Sequence, residues 1–183
     1  MASVLVPLAQ GCEELEAVTV IDLLRRAGIE VVVAGLDAEP VRASRGTVIV
    51  PDMALDAALE NSYDMVVLPG GLPGADHLNA DSRIHKLLQD MARNDRYIAA
   101  VCAAPKVLAR AGVLTGKKVT SYPGALDEYS GFDYQTSPVV KDGRITTSRG
   151  PGTAMDFALS LIETLVGAAR RQEVEAGLQR ASP

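Results

Sequence analysis

Short apolar runs rich in β-branched residues alternate along the chain with segments whose apolar residues recur every three or four positions. The first pattern predicts β-strands and the second predicts helices. The predicted strands are residues 4–8, 31–36, 65–68 and 98–101, and the predicted helices include residues 15–27 and 84–92. Residues 65–68 are apolar at every position, which is typical of parallel strands that helices cover on both faces. The pattern therefore predicts an α/β domain.

The last third of the chain adds an antiparallel part. Asp142-Gly143 separates two short runs, 138–141 and 144–147, and an Asp-Gly pair between such runs favours a tight hairpin turn. Residues 150–153 then interrupt the chain before a long predicted helix over residues 154–166, and the residues after Gly167 have the pattern of a polar helical tail. The sheet is therefore predicted to be mixed.

Length and composition are those of one globular domain. The chain has 183 residues, of which 48% are hydrophobic and 22% charged, and no repeat or linker divides it, so we expect a single domain over residues 1–183. The formal charge is −5 and the basic residues form no block, which argues against a nucleic-acid partner. With 4% aromatic residues and no tryptophan, small polar or carbonyl-bearing ligands fit better than bases.

The amino-terminal segment has no basic start, and its apolar run ends by Leu8. We therefore expect neither a signal peptide nor a membrane span, and a cytoplasmic location. Cys12 and Cys102 match no zinc or redox motif and are expected to be free thiols in a reducing compartment. We accordingly expect no metal and no cofactor.

The loops that follow the strands are where chemistry is expected, because ligands of open α/β sheets bind beyond the carboxyl ends of the strands. In one such loop a strand runs into Cys102 and a helix follows at once, with Pro105 in its first turn. Alanines two positions to either side are the small neighbours that a nucleophile elbow needs, and the start of a helix lowers the pKa of a thiol. Cys102 is therefore a candidate nucleophile, although the same pattern also fits a small buried hydrophobe.

Two other loops carry groups that could assist this thiol. Gly70 and Gly71 follow the strand at 65–68, and a backbone N–H there could form half of an oxyanion hole, with the N–H of Ala103 as the other half. Most such glycine loops only turn the chain. Glu16 shares a helical stripe with apolar residues, which places its carboxyl on the core-facing side and predicts a raised pKa. Such a group could hydrogen-bond a thiolate or act as general acid and base.

The remaining candidates have simpler interpretations. Glu14 fits a solvated charge at the start of a helix. His85 is predicted on a solvated helix face, and His77 follows the glycine loop without an orienting partner, so neither completes a cysteine-protease dyad. Cys12 stands on the same edge as Cys102 and could act as a resolving thiol, or have no role, since a disulfide requires Cα atoms within ~7 Å.

Four segments in this order resemble the DJ-1/ThiJ/PfpI superfamily, namely residues 11–16, 68–71, 99–105 and 148–153. The resemblance extends over nearly the whole chain and is strongest to the branch that holds the parkinsonism-associated human protein and its bacterial YajL-like relatives. It implies a flavodoxin-like three-layer α/β sandwich, like that of class I glutamine amidotransferases, and a homodimer.

The resemblance also implies a site. Cys102 would be the reactive cysteine, with its thiolate hydrogen-bonded by a protonated Glu16 and with oxyanion contacts from the backbones of Gly71 and Ala103. Relatives of this branch are described as glutathione-independent glyoxalases, as deglycases acting on methylglyoxal or glyoxal adducts, and as oxidative-stress sensors or chaperones.

Two positions depart from the relatives. The human relative carries a histidine near this cysteine where Tyr122 stands here, so proton transfer would depend more on Glu16 or on water. Protease-like members carry a histidine directly after the cysteine, and Ala103 in that place argues against peptidase activity. The residues expected around the pocket are Gly70, Cys12, Pro151 and Tyr122.

We therefore expect a cysteine-dependent enzyme that acts on small α-oxoaldehydes or on glycated groups, converting methylglyoxal to lactate through Cys102 and Glu16. The alternative function is an oxidative-stress sensor or redox-regulated chaperone. In that case Cys102 would be oxidised to sulfinic acid, with little turnover.

Overall fold

The apolar runs and helical stripes form strands and helices in the computed structural model, which describes residues 1–180. The strands in this range are β1 (Ser3–Leu8), β2 (Glu30–Gly35), β3 (Val41–Arg42), β4 (Val48–Ile49), β5 (Met53–Ala54), β6 (Met65–Leu68), β7 (Tyr97–Val101), β8 (Lys118–Val119), β9 (Asp133–Tyr134), β10 (Val139–Asp142) and β11 (Ile145–Ser148). The helices are α1 (Glu14–Arg26), α2 (Leu55–Ala58), α3 (Gly74–Ala80), α4 (Ser82–Arg93), α5 (Pro105–Arg110), α6 (Ala154–Val166) and α7 (Ala168–Gly177), and a 3₁₀ turn over Pro151–Thr153 precedes α6.

A mostly parallel sheet has the strand order β10-β11-β7-β6-β1-β2-β5. Its neighbouring strands are parallel except β10 and β11, which form the predicted antiparallel hairpin. Each strand of the hairpin lies one residue later than predicted, because Gly143, with a φ of 60°, is the first residue of the turn rather than the second. Strand β1 pairs with β2 on one side and with β6 on the other. The loops that follow β1 and β6 therefore leave the same edge of the sheet and turn away from each other.

Helices cover both faces of this sheet. Helices α1, α6 and α7 pack on the face to which Val4 and Val6 point. Helices α2 to α5 pack on the opposite face, to which Leu5 points. Successive strand residues thus belong to different halves of the core, which explains the lack of alternation in the sequence. The predicted three-layer α/β sandwich is confirmed.

The elements that the sequence pattern does not predict are short. They include β5, the two-residue ladders β3–β4 and β8–β9, and helices α2 and α3. Such elements are too short to show a period in the sequence. Within residues 1–180, no helix combines the length and the apolar character that crossing a bilayer requires.

Candidate active site

Strand β7 ends in a strained turn that carries Cys102. The φ angle of Cys102 is 62°, in the left-handed region that residues other than glycine rarely adopt. The Cys102 N–H donates to the carbonyl of Ser148 (3.0 Å), and its carbonyl accepts from the N–H of Tyr122 (2.9 Å). Helix α5 begins at Pro105, and the Cys102 residue is 9% exposed. This geometry is the strand-turn-helix elbow that the sequence predicts.

Two glycines let the loop after β6 approach this elbow. A β-carbon on Gly70 would lie 2.7 Å from the β-carbon of Cys102, so any side chain there would displace the nucleophile. Gly71 has a φ of 88°, and a β-carbon on it would lie 2.3 Å from the backbone nitrogen of Glu13. The N–H of Glu13 in turn donates to the carbonyl of Gly70 (2.9 Å). The glycines therefore bring the loop after β6 against both the elbow and the start of α1.

Glu16 lies on the inner face of α1 and is fully buried. Its Oε2 accepts a hydrogen bond from the N–H of Gly70 at 2.8 Å. No residue among 1–180 meets Oε1 in full hydrogen-bond geometry, although the Cys102 thiol is close enough to interact with the carboxyl. Burial raises the pKa of Glu16 to about 7, against the opposing effect of the Gly70 N–H and the thiol. The predicted inward orientation and raised pKa are confirmed.

The pKa of the Cys102 thiol is raised to about 12. Burial is the main cause, followed by the charge of an ionised Glu16 and the hydrogen bond to it, while the N–H groups of Gly71 and Ala103 act in the opposite direction. The expectation that the start of the helix lowers this pKa is therefore wrong, because burial of the thiol and the charge of Glu16 outweigh the backbone N–H groups at the start of the helix. Since two negative charges are strongly disfavoured here, the thiol and the carboxyl keep at least one proton between them at neutral pH, and the carboxyl gains a second proton as pH falls through about 7.

The N–H groups of Gly71 and Ala103 both act on the sulfur of Cys102. Donors in that position can also reach an oxygen that is bonded to the sulfur or to a carbon attached to it. Their predicted role in an oxyanion hole is compatible with this arrangement and stays a prediction.

Gly150 lies close to both the ring of Tyr122 and the sulfur of Cys102. A β-carbon on Gly150 would lie 3.5 Å from Cδ2 of Tyr122 and 3.9 Å from Sγ of Cys102. Pro151 follows and begins the 3₁₀ turn. Gly150 belongs to the 148–153 motif, but its residue type and position predict no particular role for it. Its one signal is its position two residues after the end of β11, at the same sheet edge as the elbow.

Cys12 is buried beneath the glycine loop. Its N–H donates to the carbonyl of Ala9 (3.0 Å), and a β-carbon on Gly74 would lie 2.5 Å from its nitrogen. Burial, together with the nearby charge of Glu14, raises the pKa of the Cys12 thiol to about 11. Both cysteines are free thiols, and a resolving role for Cys12 stays a prediction.

Glu14 is a partly exposed charge in the first turn of α1, as predicted, and it also has a structural role. Its carboxylate accepts from the backbone N–H groups of Arg45 (3.0 Å) and Thr47 (3.3 Å) and from the hydroxyl of Ser44 (3.2 Å). Although burial acts the other way, hydrogen bonds to the Glu14 carboxylate lower its pKa to about 2. Glu14 thus fastens the β3–β4 hairpin to the start of α1. Sequence alone could not reveal this, because the hairpin lies about thirty positions away in the chain.

Other polar groups and a large cavity lie away from the elbow. A cavity of about 730 Å³ between α2 and α4 is lined by Tyr63, Arg83 and Arg96 among others, at the amino ends of β6 and β7 and thus opposite Cys102. The Nε2 atom of His85 lies 2.8 Å from the carbonyl of Asn79, and His77 is exposed on α3. Among residues 1–180, no three His, Cys, Asp or Glu side chains are arranged to hold a metal ion.

Comparison with known proteins places this geometry in a family. The model of the DJ-1/PfpI family matches residues 2–164. The chain belongs to the DJ-1/PfpI family. Another member, protein dj-1beta of Drosophila melanogaster, is 48% identical over 181 residues, which are 96% of each chain. The crystal structure of that DJ-1beta has a TM-score of 0.96 over 99% of both chains at 46% identity.

Two further DJ-1 relatives bear on the chemistry. The glutathione-independent glyoxalase DJR-1.2 of Caenorhabditis elegans is 38% identical over 168 residues, covering 91% of this chain and 89% of the relative. The structure of oxidized Toxoplasma gondii DJ-1 has a TM-score of 0.95, with 39% identity and full coverage of both chains. The family and fold predicted from the sequence are therefore confirmed, and the relatives indicate enzymatic activity in the family.

Proposed function

We propose that this protein is a glutathione-independent glyoxalase that converts small α-oxoaldehydes to α-hydroxy acids, with methylglyoxal giving lactate. The observation that carries the proposal is the buried Glu16 carboxyl, which has one oxygen held by Gly70 and the other unpartnered beside Cys102. A carboxyl with a pKa of about 7 next to a nucleophile is suited to move protons in both directions at neutral pH. The glyoxalase name of the Caenorhabditis elegans relative supports this choice.

In the first step the sulfur of Cys102 adds to the aldehyde carbon. The thiol proton passes to the ionised Glu16 as the carbon–sulfur bond forms, so the thiolate never coexists with a charged carboxylate. The N–H groups of Gly71 and Ala103 stabilise the negative charge that develops on the aldehyde oxygen. Glu16 then protonates that oxygen, which gives a neutral hemithioacetal and restores the carboxylate.

In the second step Glu16 moves a proton between carbons. The carboxylate removes the hydrogen from the carbon bonded to sulfur and returns a proton to the neighbouring carbon, while the hydroxyl proton of the hemithioacetal passes to the ketone oxygen, so the former aldehyde carbon is oxidised and the former ketone carbon is reduced. Water then cleaves the resulting thioester and frees Cys102. The net reaction adds one water to the oxoaldehyde and needs no outside oxidant. The same adduct chemistry would serve early glycation products.

Lactate formation from methylglyoxal tests this proposal. We expect the Cys102→Ser and Glu16→Gln variants each to lose at least about a hundred-fold in kcat/KM, as for loss of a nucleophile or of a general acid and base. Glu60→Gln, an exposed acid distant in sequence from the site, is the matched control and should keep the wild-type rate. A Cys102→Ser protein that forms lactate at the wild-type rate would refute the mechanism.

The pH dependence gives a second test. Because Glu16 must be ionised to accept the thiol proton, kcat/KM should fall as pH decreases through about 7, the pKa of this carboxyl. In Glu16→Gln the residual rate should lack this inflection. A profile that is flat between pH 6 and 8 in the wild type would exclude Glu16 as the base.

A second function is favoured by the donors around the sulfur. The N–H groups of Gly71 and Ala103, which act on Cys102, could hold the oxygens of a sulfinate, and a structure of the Toxoplasma gondii relative is of an oxidized protein. Cys102 would then report oxidative stress. Mild peroxide should add two oxygens to the peptide that contains Cys102. Oxidation confined to methionines would rule this function out.

A further inference from the structure

The side of Cys102 that faces Gly150 is bordered by the ring of Tyr122, a partly exposed residue. The Tyr122 residue is 54% exposed, and its ring and the Cys102 sulfur border the same side of Gly150. The space between the sulfur and the Tyr122 ring is not occupied by Glu16. Glu16 approaches Cys102 from the buried face of α1. Any group bound to the sulfur must extend toward an accessible side of the elbow, and this is such a side.

The position of Tyr122 is fixed relative to the nucleophile. Its N–H donates to the carbonyl of Cys102 (2.9 Å), and its own carbonyl accepts from the hydroxyl of Ser121 (2.9 Å) and the N–H of Ala125 (3.0 Å). The hydroxyl of Tyr134 donates to the carbonyl of Ser121 (3.4 Å) and braces the same segment. The backbone of Tyr122 is thus held at several points, so the ring is attached to a segment that is fixed relative to the elbow.

Gly150 is not required by the backbone. Its φ is 163°, which is extended geometry that any residue adopts. A β-carbon would be in ordinary contact with Tyr122 and Cys102, at 3.5 and 3.9 Å, without a clash. The absence of a side chain at Gly150 therefore leaves room between the Tyr122 ring and the Cys102 sulfur. The backbone conformation does not require glycine at this position.

We propose that Tyr122 determines specificity, and that its ring receives the substituent on the ketone carbon of the oxoaldehyde in the space left by Gly150. The preferred substrates are then α-oxoaldehydes with a flat apolar substituent, such as aryl glyoxals, over those with a methyl group. This inference rests on the proposed glyoxalase function. In the adduct the aldehyde carbon is bonded to Sγ, and the next carbon carries the substituent within reach of the ring.

The chemistry is unchanged by the substituent. An aryl glyoxal would take up one water and leave as the corresponding aryl hydroxy acid, with the aldehyde carbon oxidised and the ketone carbon reduced. An aromatic substituent would pack against the Tyr122 ring in an offset or edge-to-face arrangement, a contact that corresponds to roughly two- to ten-fold in binding.

The test is the ratio of kcat/KM for phenylglyoxal to that for methylglyoxal, measured as mandelate and lactate formed at initial rate. Compared with wild type, Tyr122→Ala and Tyr122→Leu should lower this ratio about three- to ten-fold, because the ring is lost. Tyr122→Phe keeps the ring and should keep the ratio. Gly150→Ala should also lower the ratio, because its methyl group narrows the space between the ring and the sulfur.

The outcomes separate the two proposals. If wild type and Cys102→Ser consume both aldehydes equally, the glyoxalase function itself fails. If Cys102→Ser abolishes turnover but Tyr122→Ala, Tyr122→Leu and Gly150→Ala leave the ratio unchanged, the specificity role of Tyr122 is overturned and the function stands. Because Gly150→Ala introduces neither strain nor a clash, it remains informative even where a Tyr122 variant fails to fold.

Discussion

Glu16 is a carboxylic acid without contact with solvent, held by one backbone N–H and one thiol. An acid in such a place is more easily kept neutral than charged. The folded protein therefore binds the Glu16 proton more tightly than the unfolded chain does, with a pKa of about 7 against an ordinary value of 4.5. The proton on Glu16 therefore affects both the stability of the fold and the proposed reaction.

This linkage predicts how stability changes with pH. Between pH 4.5 and 7 the folded state holds more protons than the unfolded state, so the contribution of Glu16 to the free energy of unfolding falls as pH rises, by roughly 3 kcal/mol at most. Urea unfolding at pH 5 and pH 8 measures it. Glu16→Gln should remove this difference and Glu60→Gln should keep it; an unchanged pH dependence in Glu16→Gln would show that Glu16 is ionised throughout.

The residues of the site differ in how far sequence could identify them. Cys102 and Glu16 are recognisable because each has a local signal, an elbow pattern and an inward helical stripe. Gly150 has only its place after a strand, and its contact with the sulfur depends on the pairing of β11 with β7. Even for Cys102 the direction of the pKa shift could not be predicted from the local pattern, because it depends on burial in the folded core and on a carboxylate 86 positions earlier in the chain.

At the scale of elements, the loop after β6 joins α1 to the elbow through Gly71. Gly71→Ala combines a positive φ with a β-carbon 2.3 Å from the nitrogen of Glu13, so the loop must move. We expect the free energy of unfolding to fall by more than about 2 kcal/mol and lactate formation to fall at least ten-fold. Chemical denaturation and initial rates measure the two effects.

Gly46→Ala is the matched control for this substitution. Gly46 has a φ of 99° in the β3–β4 turn, but a β-carbon there would meet nothing within 4 Å. The free energy of unfolding of the Gly46→Ala variant should therefore fall by about 1 kcal/mol from backbone strain alone, and the variant should keep its activity. Equal losses in the two variants would mean that the close approach of Gly71 to Glu13 has no energetic effect.

The long elements are readable from the sequence because each carries several periods of its pattern. Helix α6 is an example: its predicted bounds, residues 154–166, are the observed ones. The β3–β4 hairpin has only two paired residues per strand and depends on hydrogen bonds from its backbone to Glu14 on another element. No local pattern in residues 41–49 could therefore predict it.

At the scale of the whole molecule, a patch of apolar residues on one surface favours the expected homodimer. Val50 is 74% exposed and Val18 47%, and both line a shallow cavity of about 260 Å³ with Ile21 and Ile49. The two valines are exposed, the two isoleucines beside them are half-buried, and charged Asp22, Arg25 and Asp52 surround them; an apolar centre with a charged rim is typical of an association surface. We propose that a second copy of the chain covers this patch.

Sedimentation tests the dimer. Val50→Lys should shift the protein toward the monomer mass at micromolar concentration, because a charge would be buried in the interface. Val166→Lys, a substitution of another exposed valine at the end of α6, should leave the mass unchanged. Wild-type protein that sediments as a monomer would disprove the assembly.

The backbone of Cys102 is tied to Ser148 and Tyr122, and its acid comes from the first helix. A growing polypeptide emerging from the ribosome would therefore possess the cysteine long before it possessed a finished reaction centre. Cleavage before residue 145 would remove the neighbouring strand that closes the turn. The alkylation rate of the Cys102 thiol should accordingly show when synthesis and folding of the chain are complete.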